Sequence, residues 1–341
     1  MNRRTFLQHI ATFMMAGSPL TGWCRNENLS QMTNKTTGFV YDDISVRHSL
    51  GKTHPESPQR FLKIMEKMQQ SRLLSKLTAI SPNIDVFPHL YMIHTKQHIQ
   101  SVKAHYNLSH EVALQAVSAA LTAVNEVCSG ALRNAFCAVR PPGHHALNTG
   151  REEGFCFYNT IAVAARYAQK VFALEKILIV DWDYHHGNGT EAAFYTDPSV
   201  LFFSTHDQYN YPGTGDPARI GSGHGQGFNI NVHLQCGATD TDIIDAFEQH
   251  LLPRVEVFKP DMILISAGFD GRIDDPLGCF DITDKGFSQL TSMMMTLADE
   301  YCAGRIVSLL EGGYNLDGLA MAVYAHVSSL SGFDAESQSL I

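Results

Sequence analysis

Three short runs in this chain crowd together side chains that bind metals or move protons: Asp181-Trp182-Asp183-Tyr184-His185-His186, Arg140-Pro141-Pro142-Gly143-His144-His145 and Glu311-Gly312-Gly313-Tyr314. A β-strand turns successive side chains to opposite faces, so Asp181, Asp183 and His185 project to one side as an extended segment leaves a sheet. A carboxylate with an imidazole suits zinc. Asp270, at the end of Ser266-Ala267-Gly268-Phe269-Asp270, is placed to add a third ligand. Three protein ligands leave a coordination position for water and substrate, as a hydrolytic rather than a structural zinc requires. Taken alone, the Asp-x-Asp-x-His run also fits a solvated acidic loop or a magnesium site.

The second run presents two neighbouring imidazoles from a turn stiffened by two prolines and a glycine. Different carboxylate partners would give the two rings different pKa values, one serving as base and the other as acid or electrostatic support. Asp181 is a partner for one of them. In the third run the paired glycines let backbone approach a ligand and let Tyr314 turn toward it. Its phenol then suits donation to a developing oxyanion, although a packed tyrosine in such a turn is also common.

The elements that must hold these runs alternate. Apolar runs read as buried strands at 38–41, 135–139, 176–181, 200–204, 228–232, 262–266 and 305–310. Amphipathic segments between them read as helices at 58–71, 111–127, 159–172, 239–258, 285–301 and 317–329. Several strand runs are apolar on both faces, as a parallel sheet covered by helices requires. Repeated alternation implies βαβ units in one α/β domain over residues 37–335. In such sheets ligands bind beyond the carboxyl ends of strands, which is where all three runs and Asp270 fall.

Composition bounds the partners. With 44% hydrophobic and 17% charged residues the 341-residue chain is globular. A formal net charge of −9 argues against direct nucleic-acid binding and suits a basic peptide or a polyamine. The seven cysteines are scattered, with no Cys-x-x-Cys pair, and are expected to be mostly small buried hydrophobes rather than a disulfide framework. Residues 1–36 form a tail. Its Arg3-Arg4 pair and apolar run from Ile10 to Leu20 have the look of a twin-arginine export signal for a periplasmic or secreted protein. The alternative is a cytoplasmic extension. No later stretch reaches the ~20 apolar residues that span a membrane.

Seven blocks together resemble the histone deacetylase family. They are His54-Pro55-Glu56-Ser57-Pro58-Gln59-Arg60, the Arg140–His145 turn, Gly154-Phe155-Cys156-Phe157-Tyr158-Asn159, Asp181 through Thr190, Tyr211-Pro212-Gly213-Thr214-Gly215-Asp216, Ser266–Asp270 and Leu310–Asn315. They stand in family order across roughly residues 38 to 330, and the tryptophan of Asp-Trp-Asp resembles the class II branch and its bacterial relatives. The resemblance implies the arginase/deacetylase fold, with about eight largely parallel strands sandwiched between helices. It implies one zinc ion held by Asp183, His185 and Asp270, His145 as general base, His144 held by Asp181, and Tyr314 as oxyanion donor. It also implies a structural potassium ion on Asp181, Ser204 and the backbone oxygens of Asp183 and His185. A narrow channel would be lined by Gly154, Phe155, Tyr211 and Leu277, with Arg60 and Cys156 in a pocket beneath the zinc.

The implied substrate is an acetylated lysine in a protein or peptide, including histone. The family's opposite channel wall is commonly phenylalanine, so Tyr211 adds a hydroxyl at the mouth. Polyamine-selective relatives carry an acidic residue where this chain has Leu277, which favours peptide lysine. Asp274 and Asp275 stand close by, and Lys52 replaces a small hydroxyl residue that grips peptide backbone, so a small acetylated amine is the alternative. Two further readings are a two-manganese ureohydrolase, whose Asp-x-His-x-Asp ligands are missing, and a non-catalytic binding module, which would lack a ligand or the tyrosine.

Overall fold

The computed structural model describes residues 36–333. Within the run 177–180, Leu178 and Val180 enter one hydrophobic layer, Ile177 and Ile179 another, and all four are fully buried. Period-two side chains with both faces apolar make this a strand covered on both sides. The same split recurs along the sheet, with Leu201 and Phe203 on one face against Val200 and Phe202 on the other. Each such aliphatic or aromatic side chain contributes roughly 1.5–3 kcal/mol by leaving water.

The strands are β1 (Thr37–Val40), β2 (Thr78–Ile80), β3 (Asn134–Cys137), β4 (Ile177–Asp181), β5 (Val200–His206), β6 (Asn229–His233), β7 (Met262–Ala267) and β8 (Ile306–Leu310). They form one eight-stranded sheet in the order β2-β1-β3-β8-β7-β4-β5-β6, with every pair parallel. The helices are α1 (Pro58–Gln70), α2 (Phe87–Leu90), α3 (Lys96–His105), α4 (Asn107–Cys128), α5 (Thr160–Phe172), α6 (Asn188–Phe194), α7 (Asp240–Ala246), α8 (Leu252–Phe258), α9 (Asp284–Tyr301) and α10 (Leu316–Ser331). α1 and α7 to α10 cover one face, and α3 to α5 cover the other. The expected sandwich is therefore present. Helix starts beside the chemical runs are fixed by side-chain caps: Asn159 accepts from the Ala162 amide and Asn315 from the Gly318 amide.

Three expectations need correction. β2 is a three-residue edge strand, largely exposed, and carries no apolar run that the sequence could announce. The helix expected over 239–258 runs without a gap from Asp240 to Phe258 but passes through a π-helical turn at Phe247–Leu251. Pro253, just beyond it, has no N–H to donate, and its ring would strike the carbonyl one turn back. Finally, Cys236 and Cys279 are disulfide-bonded, 43 residues apart, while Cys128, Cys137, Cys156 and Cys302 are free. The export-signal segment and Cys24 lie outside the described residues, as do residues 334–335 of the expected domain.

Candidate active site

The sheet order places β3, β8, β7 and β4 side by side at its centre. These are the four strands whose carboxyl ends carry the His-His turn, Glu311–Tyr314, Asp270 and the Asp181–His185 run. Register keeps those ends level: Asp181 pairs with Ser266, Ser266 with Leu309, and Leu309 with Cys137. Four runs distant in sequence thus meet at one edge.

Asp183, His185 and Asp270 converge there, each offering one ligand atom, with these atoms all within 4.8 Å of one another. His185 Nδ1 lies 3.2 Å from Asp183 Oδ1 and 3.0 Å from Asp270 Oδ2. Backbone amides aim the carboxylates: Gly312 N–H donates to Asp183 Oδ2 at 2.8 Å and Tyr184 N–H to Asp270 Oδ1 at 2.9 Å. A Cβ on Gly268 would come within 2.0 Å of Asp183 Oδ2, and one on Gly312 within 1.9 Å of Asp270 Oδ2. Only glycine lets the backbone close this cradle.

The electrostatics fit a cation. Burial opposes charging His185, but hydrogen bonds to Asp183 and Asp270 outweigh it and push its pKa up to about 10. Burial, then the Asp183 charge, lifts Asp270 to about 7. The two buried carboxylates hold the His185 Nδ1–H between them, and a metal ion would take the place of that proton. A buried imidazole, two buried carboxylates and a glycine-lined approach are the donor set expected of zinc.

The two adjacent histidines are set differently. His144 Nδ1–H donates to Asp181 Oδ2 at 3.0 Å. Although burial works against its charge, Asp181, Asp183 and Glu311 raise its pKa well above the ordinary histidine value. His145 Nδ1–H donates to the Asn188 side-chain oxygen at 2.8 Å. Burial and the nearby His144 charge drive the His145 pKa well down. This corrects the expectation of two carboxylate partners, since an amide at the start of α6 holds the second ring. Because an amide oxygen only accepts, Nδ1 carries the hydrogen and Nε2 keeps a free lone pair.

Tyr314 is fixed from its backbone: its N–H donates to Asp275 Oδ2 at 2.7 Å, and Asn315 N–H to the same oxygen at 3.0 Å. Burial holds the phenol well above its usual pKa, so it stays protonated and able to donate. His185 and Tyr314 each keep 9% exposure, whereas Asp181, Asp183, Asp270, His144 and His145 keep 3% or less. These two therefore mark the open side of the centre.

Around that side stand the expected channel residues. Gly154 has φ +52°, and a Cβ there would meet His145 at 2.4 Å and Tyr211 at 2.7 Å. Phe155 has φ +69° and packs edge-on to Tyr314 at 5.9 Å and to His54 at 4.6 Å. Its N–H is tied to Glu152 Oε1 at 2.5 Å. Tyr211 lies perpendicular to His145 at 5.0 Å and is half-exposed. Leu277 N–H donates to Asp275 Oδ1 at 2.9 Å, in the carboxylate that also fixes Tyr314.

Beneath the centre, Arg60 is fully buried, with Nε–H donating to the Gly313 carbonyl and Nη2–H to the Glu311 carbonyl. Its guanidinium lies 4.9 Å from the Tyr314 ring centroid. Cys156 is buried, its thiol donating to the Gly154 carbonyl at 3.3 Å. Glu56, which the sequence offered only as a motif letter, binds both Arg60 and Arg140 and ties the first block to the His-His turn. Ser204, expected at the potassium site, pairs in register with Asp181, and its hydroxyl is 2.8 Å from His206 Nδ1.

Comparison with known proteins gives a consistent picture. The histone deacetylase domain family matches residues 54–330. The chain is similar to histone deacetylase 5 of Arabidopsis thaliana, 38% identical over 87% of this chain and 49% of the relative. It is similar to histone deacetylase 9 of Homo sapiens, 35% identical over 88% of this chain and 34% of the relative. It is also similar to the crystal structure of the HDA15 HD domain, with TM-score 0.83, 35% identity and coverage of 88% and 89% of the two chains. The chain thus spans half or less of these two curated relatives.

Proposed function

The chain belongs to the histone deacetylase family, and from that premise we propose that it hydrolyses N-ε-acetyl-lysine in peptides and proteins using a zinc ion held by Asp183, His185 and Asp270. Zinc at that position supplies Lewis-acid polarisation of the acetyl carbonyl and of the attacking water. His145 takes the water proton at Nε2, the atom left free by its bond to Asn188, and returns it to the leaving amine. His144, held cationic by Asp181, Asp183 and Glu311, keeps His145 neutral and ready to accept. Tyr314, protonated and backbone-fixed, donates to the oxyanion as it forms. Phe155, Tyr211 and Leu277 wall the passage for a four-methylene lysine stem.

One observation carries this reading: four neighbouring strand ends deliver a metal triad, a base with a free nitrogen and a phenol donor to one partly open centre. Leu277 in the rim favours peptide lysine. An acetylpolyamine or other small amide is the second reading, supported by exposed Asp274 close by. A potassium ion at Asp181 and Ser204, and export by way of Arg3-Arg4, complete the proposal. Sequencing the mature N-terminus from fractionated cells tests export. Turnover of acetyl-lysine peptides against N-acetylputrescine tests substrate class. Preference for the peptide is expected, and preference for the small amine overturns the order of the two readings.

A further inference from the structure

We propose that Cys236 and Cys279 are a reversible thiol–disulfide tether that sets how firmly the acyl channel grips its substrate. The proposal rests on the deacetylase reading for its kinetic consequence, but its structural half stands apart from it. The two cysteines lie with Cα atoms 5.0 Å apart and join the turn after β6 to the rim loop that follows Asp270. Cys279 is two residues beyond Leu277. Two residues before Leu277, Asp275 accepts from the Tyr314 and Asn315 amides. The Leu277 segment is therefore pinned at both ends, to the Tyr314 turn through Asp275 and to the β6 turn through sulfur.

The sulfur also reaches the opposite wall. The Tyr184 hydroxyl lies 3.2 Å from Cys279 Sγ, donates to Asp207 Oδ2 at 2.9 Å and accepts from Asn210 Nδ2 at 2.9 Å. Asn210 immediately precedes Tyr211, and Tyr184 stands between the ligands Asp183 and His185. One phenol thus joins the tether, in the Leu277 segment, to Asn210 in the Tyr211 segment without involving the proton-transfer groups. Releasing the tether is expected to loosen binding of the lysine stem and to leave the chemical step nearly unchanged.

Access favours exchange at this pair. Cys236 is exposed and Cys279 half-buried, whereas Cys137, Cys156 and Cys302 are buried and burial pushes the Cys302 thiol up to about 12. A low-molecular-weight disulfide of the glutathione type is the natural oxidant. The Cys236 thiolate attacks it, forming a mixed disulfide and expelling one small thiol. The Cys279 thiolate then attacks the Cys236 sulfur, closing the protein disulfide and expelling the second. The two cysteine protons end on the two released thiols, and reduction runs the same steps backwards.

The test poises the full-length metal-loaded enzyme in oxidised or reduced glutathione and maps each cysteine by differential alkylation. Steady-state kinetics on an acetyl-lysine peptide and amide hydrogen exchange across 207–214 and 273–281 are then read for each form. Reduction is expected to speed exchange in both segments and raise KM about three- to tenfold, the scale of re-ordering one or two side chains on binding, with kcat changing less than about twofold. Cys236→Ser should match the reduced wild type and ignore the redox buffer. Equal KM and equal exchange in the two states would overturn the proposal, as would a Cys236→Ser variant that still responds or a pair that never oxidises. If neither form hydrolyses the peptide, the deacetylase reading fails, and the exchange comparison alone decides the tether.

Discussion

His144 and His145 sit 4.0 Å apart, ring to ring, yet are set to opposite protonation by what lies behind each. A carboxylate holds the first and an amide the second, and this difference suits the second ring to the proposed role of base. Asn188→Asp is therefore expected to raise the His145 pKa. Because the base must be neutral to act, the acidic limb of the kcat/KM profile should move to higher pH by about one unit or more. An unmoved limb would show that another group is the base. His145→Ala should fold, keep its metal and lose roughly 10²–10⁴ in kcat, and Tyr314→Phe should lose roughly 10²–10³. Unimpaired turnover in either contradicts the assigned role. Asn188 was hidden in the sequence because an asparagine beside a glycine reads as turn chemistry. Only the fold shows that α6 points it at His145.

At the scale of elements, the glycines after β7 and β8 are as necessary as the ligands they face. Gly312→Ala would push a methyl onto Asp270 and Asp183, so zinc content and activity should fall together while far-ultraviolet dichroism stays native. Full occupancy in that variant would mean the cradle has slack. On α6, Glu191 is held at about 2: burial raises its pKa, but His186, Asn231 and Arg219 outweigh this. A carboxylate held low stabilises the fold above its ordinary value of 4.5 and loses that contribution as pH falls toward 2. In urea melts the stability gap between wild type and Glu191→Gln should be full near pH 6 and shrink below about 4. A gap independent of pH would assign the effect to packing. Seven of the eight strands were legible as largely apolar runs, and the site was legible because four of them are stopped by chemistry-bearing residues. β2 was not, being short and exposed, and the π-helical turn before Pro253 was masked by a continuous helical periodicity. Glu56 and Asp275 act on residues far away in sequence, and no local pattern signals such a partner.

The described residues form a parallel sheet whose central strands open onto one edge, in a chain of net charge −9. Cationic substrates should be drawn to it through solvent, so kcat/KM for a lysine- and arginine-rich acetyl peptide should fall with added salt while a neutral peptide's stays flat. Equal salt dependence would assign the effect to something other than steering. The proposed function depends most on whether Asp183 and His185, after β4, and Asp270, after β7, would together hold one zinc ion. Anomalous diffraction at the zinc edge, from crystals of the protein as purified, addresses that most directly. A single zinc peak among Asp183, His185 and Asp270 is expected, lost in Asp270→Ala together with turnover. Two manganese ions at that edge of the sheet, or full turnover with the peak absent, would contradict it.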